Sequence, residues 1–138
     1  GSDLLLGHVG DSRVYLVRNG SISQLTHDHS LVAHLVERGQ ITAEEARVDP
    51  RRNVVTRSVG VAADVEVDAE YLPEFLTAGD TLLLCSDGLH GLVTDPEIAQ
   101  LVSGKELDRA GRDLIELANQ RGGHDNITAI LARFENDG

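Results

Sequence analysis

Methionine is absent from all 138 residues, so the chain carries no initiator. Gly1-Ser2 reads as the remnant of a cleaved tag or as a cut inside a longer chain, and the natural protein is expected to begin well before Gly1. Cysteine occurs once, as Cys85, which excludes an internal disulfide. A buried, inert thiol is the expectation there, and such usage suits a reducing cytoplasm. Tryptophan is also absent and aromatics make up only 3%, so the core has to be leucine, valine, isoleucine and alanine. No apolar run approaches the ~18 residues of a membrane helix, and no signal peptide is visible. Positive charge is scarce too: 12 Lys and Arg stand against 23 Asp and Glu, a net charge of −11. A chain so acidic repels nucleic-acid phosphates, and no DNA or RNA partner is expected. The surplus acid suits carboxylates gathered around cations, or simply a well-solvated surface. The length fits one domain or one piece of a domain.

The apolar runs that are present are short and stop abruptly. Thr81-Leu82-Leu83-Leu84-Cys85 reads as a buried strand ending at Ser86-Asp87-Gly88. Leu4-Leu5-Leu6-Gly7-His8-Val9 reads as another, buried on both faces and ending at Gly10-Asp11-Ser12. Arg13 to Arg18 follows as a strand, and Asn19-Gly20 is a hairpin signal leading into Ser21 to Leu25. The opening segment is therefore predicted to be three antiparallel strands in succession. Val65 to Leu72 alternates as a strand with one wet side, and Ile127 to Ala132 is the last strand.

Between these lie helices. Asp28 or Ser30 can cap a helix carrying Leu31, Val32, Leu35 and Val36, which Gly39 ends. Thr42-Ala43-Glu44-Glu45 and Thr94-Asp95-Pro96-Glu97 are capping boxes for two more. A longer helix is predicted from Glu106 to Arg121, with Leu107, Ala110, Leu114, Leu117 and Ala118 on one face. His27 and His29 could ligate a metal, but without a neighbouring cysteine or a third histidine at ligand spacing, capping and packing are the expectation. Arg51 and Arg52 could hold a phosphate, against the simpler reading of a solvated loop.

Asp11, Asp87 and Asp125 share one context, the end of an apolar strand beside glycine or asparagine. Strands paired in a sheet bring their ends together, and converging carboxylates repel unless a cation neutralises them. All-oxygen ligands suit magnesium or manganese, and such an ion makes hydroxide accessible at neutral pH. The alternative is three unrelated turn aspartates.

Four stretches carry a family resemblance: Val9-Gly10-Asp11-Ser12-Arg13, Leu25-Thr26-His27-Asp28-His29-Ser30, Cys85-Ser86-Asp87-Gly88-Leu89 and Gly123-His124-Asp125-Asn126-Ile127-Thr128. In this order they resemble the metal-dependent serine/threonine phosphatases of the bacterial protein phosphatase 2C type. The resemblance implies an α/β sandwich of antiparallel sheets flanked by helices. It also implies Asp87 and Asp125 as ligands of a Mn²⁺ or Mg²⁺ centre, Asp11 as ligand of an additional ion, and Ser30 to Val48 as a flap beside the site. Water activated between two ions would attack phosphoserine or phosphothreonine of signalling proteins, with no phosphoenzyme. The family's N-terminal motifs do not occur: the phosphate-gripping arginine, the acidic pair and the metal-bridging aspartate-glycine. Arg13 belongs to another motif and is not given the arginine's role, so no catalytic residue is assigned. Residues 1–138 are expected to be the C-terminal portion of one catalytic domain, inactive alone. It would be prone to self-association or strand exchange through uncovered edges. The rival expectation is a non-catalytic, partner-binding module.

Overall fold

The computed structural model describes residues 1–58, 64–123 and 125–135. Two antiparallel sheets and five helices follow the order β1 (Ser2–His8), β2 (Arg13–Arg18), β3 (Ser21–Gln24), α1 (Leu31–Glu37), α2 (Ala43–Val48), β4 (Asp68–Leu76), β5 (Thr81–Cys85), α3 (Asp87–His90), α4 (Asp95–Val102), α5 (Leu107–Gln120) and β6 (Ala129–Arg133). The larger sheet runs β3-β2-β5-β6, and β1 pairs with β4 in the smaller.

Register explains the core. Tyr15 faces Leu83 across β2 and β5, and Leu83 faces Leu131 across β5 and β6. Side chains alternate along a strand, so Tyr15, Val17, Leu83, Cys85, Ala129 and Leu131 share one face of the sheet. Against that face pack Leu89 of α3, Ile98 and Val102 of α4, and Ala110, Leu114 and Ala118 of α5, all fully buried. The α5 residues lie at helical spacing on one stripe, as the sequence implies. Burial pushes the Cys85 thiol up to about 12, which makes it inert. The opposite face of the sheet is less covered, with Leu84 40% and Ile130 58% exposed.

Local signals hold in most places. Asn19 and Gly20 have φ of 50° and 80°, as a tight turn with two left-handed residues requires, and they join β2 to β3. Ser30 caps α1 by accepting from Ala33 N–H, and Thr42 and Glu45 form a reciprocal capping box on α2. Glu97 accepts from the N–H of Thr94 at the start of α4.

Three expectations fail. The first strand is not buried on both faces: Leu5 is 73% exposed, and β1 alternates between half-buried and exposed. Nor does it pair with β2; its partner is β4, with Leu5 opposite Tyr71, so only β2 and β3 form a hairpin. The strand expected at Val65–Leu72 lies at Asp68–Leu76. Pro73 is tolerated there because a two-stranded sheet leaves each strand an edge. No described helix is long and apolar enough to cross a membrane.

Candidate metal centre

β2, β5 and β6 are neighbours, with Arg13 opposite Cys85 and Cys85 opposite Ala129. The segments bearing Asp11, Asp87 and Asp125 therefore leave the sheet at one end. Asp87 does not simply end a strand: Ser86 is the N-cap and Asp87 the first residue of the one-turn helix α3. A carboxylate in a helix's first turn faces unpaired backbone N–H groups.

A dense set of bonds holds α3 against the segment after Asp125. Ser86 N–H donates to Thr128 O at 3.1 Å. Its hydroxyl donates to Asn126 O at 3.2 Å and accepts from Thr128 N–H at 3.0 Å. Gly88 closes the contact: any Cβ there would run into the Asn126 carbonyl. Glycine is needed at this position for close approach, not for a positive φ. Asn126 N–H in turn donates to the Asp125 carboxylate at 2.7 Å. His124, part of the same motif, lies outside the described residues.

Asp87 feels the other two carboxylates. The Asp87 carboxyl is raised above its ordinary value, first by burial, then by the charges of Asp11 and Asp125, with Asp11 within hydrogen-bonding reach. Other acids are answered by arginine: Asp28 by Arg13, Asp80 by Arg18, Asp68 by Arg57, Asp49 by Arg51 and Glu97 by Arg121. Hydrogen bonds from Arg51 and from Arg121 hold Asp49 and Glu97 each down at about 2. Among the described residues, no ion pair reaches Asp11, Asp87 or Asp125. Oxygen-only donors that repel one another and lack a counter-charge fit a hard divalent cation.

A cleft of about 320 Å³ opens beside Asp11 and Asp87, walled on its other side by α1 and α2. Arg47 and Arg52 line it. Arg47 also donates toward the carbonyls of His90 and Gly91, tying α2 to α3. Arg51 is engaged with Asp49, so of the two adjacent arginines only Arg52 faces the cleft.

Of the two histidines His27 and His29, only His29 is buried. Exposed His27 meets Glu37 at 3.0 Å, while His29 is buried and bonded to Asp68 at 2.7 Å. Sequence reasoning missed the buried partners of the site. Arg13 forks onto Asp28 and donates to the Tyr15 hydroxyl, which donates to Asp95, so the strand leaving Asp11 is tied to β3's exit and to α4. His90 lies beneath Asp11, its ring nitrogen 2.7 Å from the Asp11 carbonyl. A lone histidine after Asp-Gly has no periodic signal, and only its proximity to the motif could have marked it.

A family profile described as protein phosphatase 2C matches residues 1–127. A putative protein phosphatase 2C-type of Streptococcus pyogenes is 44% identical over 137 residues, covering 99% of this chain and 55% of that protein. The serine/threonine phosphatase stp of Listeria monocytogenes is 45% identical over 131 residues, covering 94% and 51%. Among solved structures, the Mycobacterium tuberculosis serine/threonine phosphatase PstP/Ppp superposes with a TM-score of 0.91 at 40% identity, over 99% of this chain and 57% of that one. The PstP catalytic domain in complex with two manganese ions gives a TM-score of 0.79 at 37% identity, over 99% and 55%. The chain spans about half the length of the curated relatives it matches.

Proposed function

The chain belongs to the protein phosphatase 2C family, and from that premise we propose that residues 1–138 are the C-terminal portion of one catalytic domain. The protein they serve hydrolyses phosphoserine and phosphothreonine in signalling proteins, in a bacterial cytoplasm, with Mn²⁺ or Mg²⁺. Asp87, Asp125 and Asp11 hold the cations. The observation that carries this reading is the convergence of those carboxylates without a cationic partner among the described residues, where Asp28, Asp49, Asp68, Asp80 and Glu97 are each paired with an arginine.

A cation bound there supplies positive charge that polarises the phosphoryl group and eases deprotonation of the attacking water. The chain's own residues do the positioning. Ser86 and Gly88 keep Asp87 facing Asp125. Arg47 and Arg52 give the adjacent cleft a basic wall suited to a phosphorylated segment.

The family's phosphate-gripping arginine and metal-bridging motif have no counterpart in residues 1–138, so this chain by itself is expected not to hydrolyse p-nitrophenyl phosphate with Mn²⁺. Turnover above a metal-only blank, abolished by Asp87→Ala, would overturn that expectation. The natural protein, read upstream of Gly1, should carry an acidic pair and an aspartate-glycine motif and should dephosphorylate phosphoserine peptides. Their absence, with no activity, would favour the partner-binding reading instead.

Self-association is the second expectation. Leu84 and Ile130 face each other in register on the less covered side of the sheet, and β6 is its edge strand. An apolar patch beside an open strand edge invites a second copy. Light scattering at tens of micromolar should show species larger than a monomer; a clean monomer would refute it.

A further inference from the structure

The loop bearing Asp11 is gripped at three successive residues by histidines. Gly10 N–H donates to His29 Nδ1 at 3.0 Å, and the His29 backbone N–H donates to Gly10 O at 2.7 Å, so His29 takes both backbone polar groups of Gly10. His90 Nε2 donates to Asp11 O at 2.7 Å. His8 Nε2 donates to Ser12 O at 2.7 Å. The rings come from three separate places: the end of β1, the segment before α1, and α3. The loop needs such support, because Gly10 sits at φ 107°, a conformation with little intrinsic preference.

Tautomers follow from these partners. A ring nitrogen against a carbonyl must carry a proton, so His8 and His90 donate through Nε2. His29 accepts at Nδ1 and therefore carries its proton on Nε2, which donates to Asp68 Oδ2 at 2.7 Å. Asp68 is held in turn by Arg57 at 3.0 Å. The rings of His8 and His29 lie 4.9 Å apart.

His8, His29 and Asp68 also bring donor atoms within 4.8 Å of one another, as a metal site would. The hydrogen bonds oppose that reading. A cation on His29 Nε2 would force the proton onto Nδ1, where Gly10 N–H already points. Only His8 Nδ1 is left, buried and without a partner. The cluster is built to hold a backbone.

We infer that His8, His29 and His90 are positioning residues that fix the Gly10-Asp11-Ser12 backbone so that the Asp11 carboxylate stays beside Asp87, where the two would help to hold a cation. This rests on the reading of Asp11 as a metal ligand. It assigns the histidines a role one layer out from the cation, where loss of a hydrogen-bonded partner weakens metal binding about 10–100-fold.

The test is a Mg²⁺ titration of the ¹⁵N-labelled chain, followed through the amide shifts of Asp11 and Ser12, together with hydrogen exchange of Gly10 N–H. His29→Ala should lose Gly10 protection and need at least about 10-fold more Mg²⁺. His29→Asn, whose Oδ1 stands where Nδ1 stood, should restore both. His8 is only half-buried at the end of β1, so it can be changed without opening the core. There, His8→Leu should weaken Mg²⁺ binding, and His8→Gln, which keeps a donor within reach of Ser12 O, should not. Unchanged Mg²⁺ demand in His29→Ala and His8→Leu overturns the inference, as does equal loss in the alanine and asparagine variants. A Zn²⁺ titration that moves the ring signals of His8 and His29 and frees Gly10 N–H would also overturn it, in favour of a metal site. If the unmodified chain shows no Mg²⁺-dependent shift at Asp11, the ligand reading falls, and the inference with it. A shift that survives every histidine variant removes the brace alone.

Discussion

Asp87→Asn is expected to weaken Mn²⁺ binding by more than the ~100-fold upper range seen for outer partners of metal ligands, and to raise the melting temperature of the cation-free chain. The first effect follows from removing the charge at the centre of the proposed ligand group. The second follows from the sign of the Asp87 shift. Its carboxyl is raised by burial first, then by Asp11 and Asp125. An acid raised on folding is one whose ionised form the fold disfavours. Its unfavourable contribution is absent below its ordinary value and grows as pH rises through the folded value. At neutral pH the cation-free fold bears that cost in full, and asparagine removes it. Acids such as Asp49 and Glu97, held low by arginine, act in the opposite direction and weaken the fold as pH falls toward about 2. The informative quantity is therefore the difference in melting temperature between the variant and the parent across pH. It should be positive at neutral pH, shrink on acidification, and reverse when Mn²⁺ is added. A variant less stable than its parent without cation, or one that binds Mn²⁺ equally well, would show that Asp87 is a turn residue.

Gly88→Ala is expected to cost about 1–3 kcal/mol, the usual penalty for forcing a methyl into a packed site, and to weaken Mn²⁺ binding at the same time. The added carbon would meet the Asn126 carbonyl, which is backbone and cannot rotate aside. The Ser86 bonds to Asn126 and Thr128 pin the same two segments together, so relief requires moving them apart. That movement separates Asp87 from Asp125. Gly7→Ala is the control, because a Cβ there meets nothing within 4 Å. Urea unfolding and Mn²⁺ titration of both variants should separate them clearly; a Gly88→Ala chain that behaves like Gly7→Ala would mean the contact yields at no cost.

Those features differ in how legible they are in sequence. The hairpin at Asn19-Gly20, the capping boxes and the stripe on α5 follow from local chemistry, since each needs only residues a few positions apart. Asp11, Asp87 and Asp125 stood out in sequence because each lies at an end of an apolar run beside glycine or asparagine, and in the fold the charges of Asp11 and Asp125 reach Asp87. The partner of β1 was not. Leu4-Leu5-Leu6 is apolar enough for a central strand, and adjacency suggested β2, but strand partners are chosen by packing across the whole chain. The helix α3 was missed because one turn is too short to show a period. The pairing of Asp28 with Arg13 and of Asp68 with His29 and Arg57 was invisible for the same non-local reason: single charged residues carry no pattern until the fold brings them together.

The register of β2, β5 and β6 has a kinetic consequence. The hairpin β2–β3 closes a tight turn, but β2 must also find β5, and β5 must find β6, across most of the chain. Long loops close late, after local structure has formed. Asp11, Asp87 and Asp125 come together only through those late pairings, so a species holding just the early hairpin does not present the three carboxylates together. Manganese would then bind only molecules that have finished folding, leaving refolding half-time unchanged while slowing unfolding. Release of the ion would report the moment the sheet comes apart.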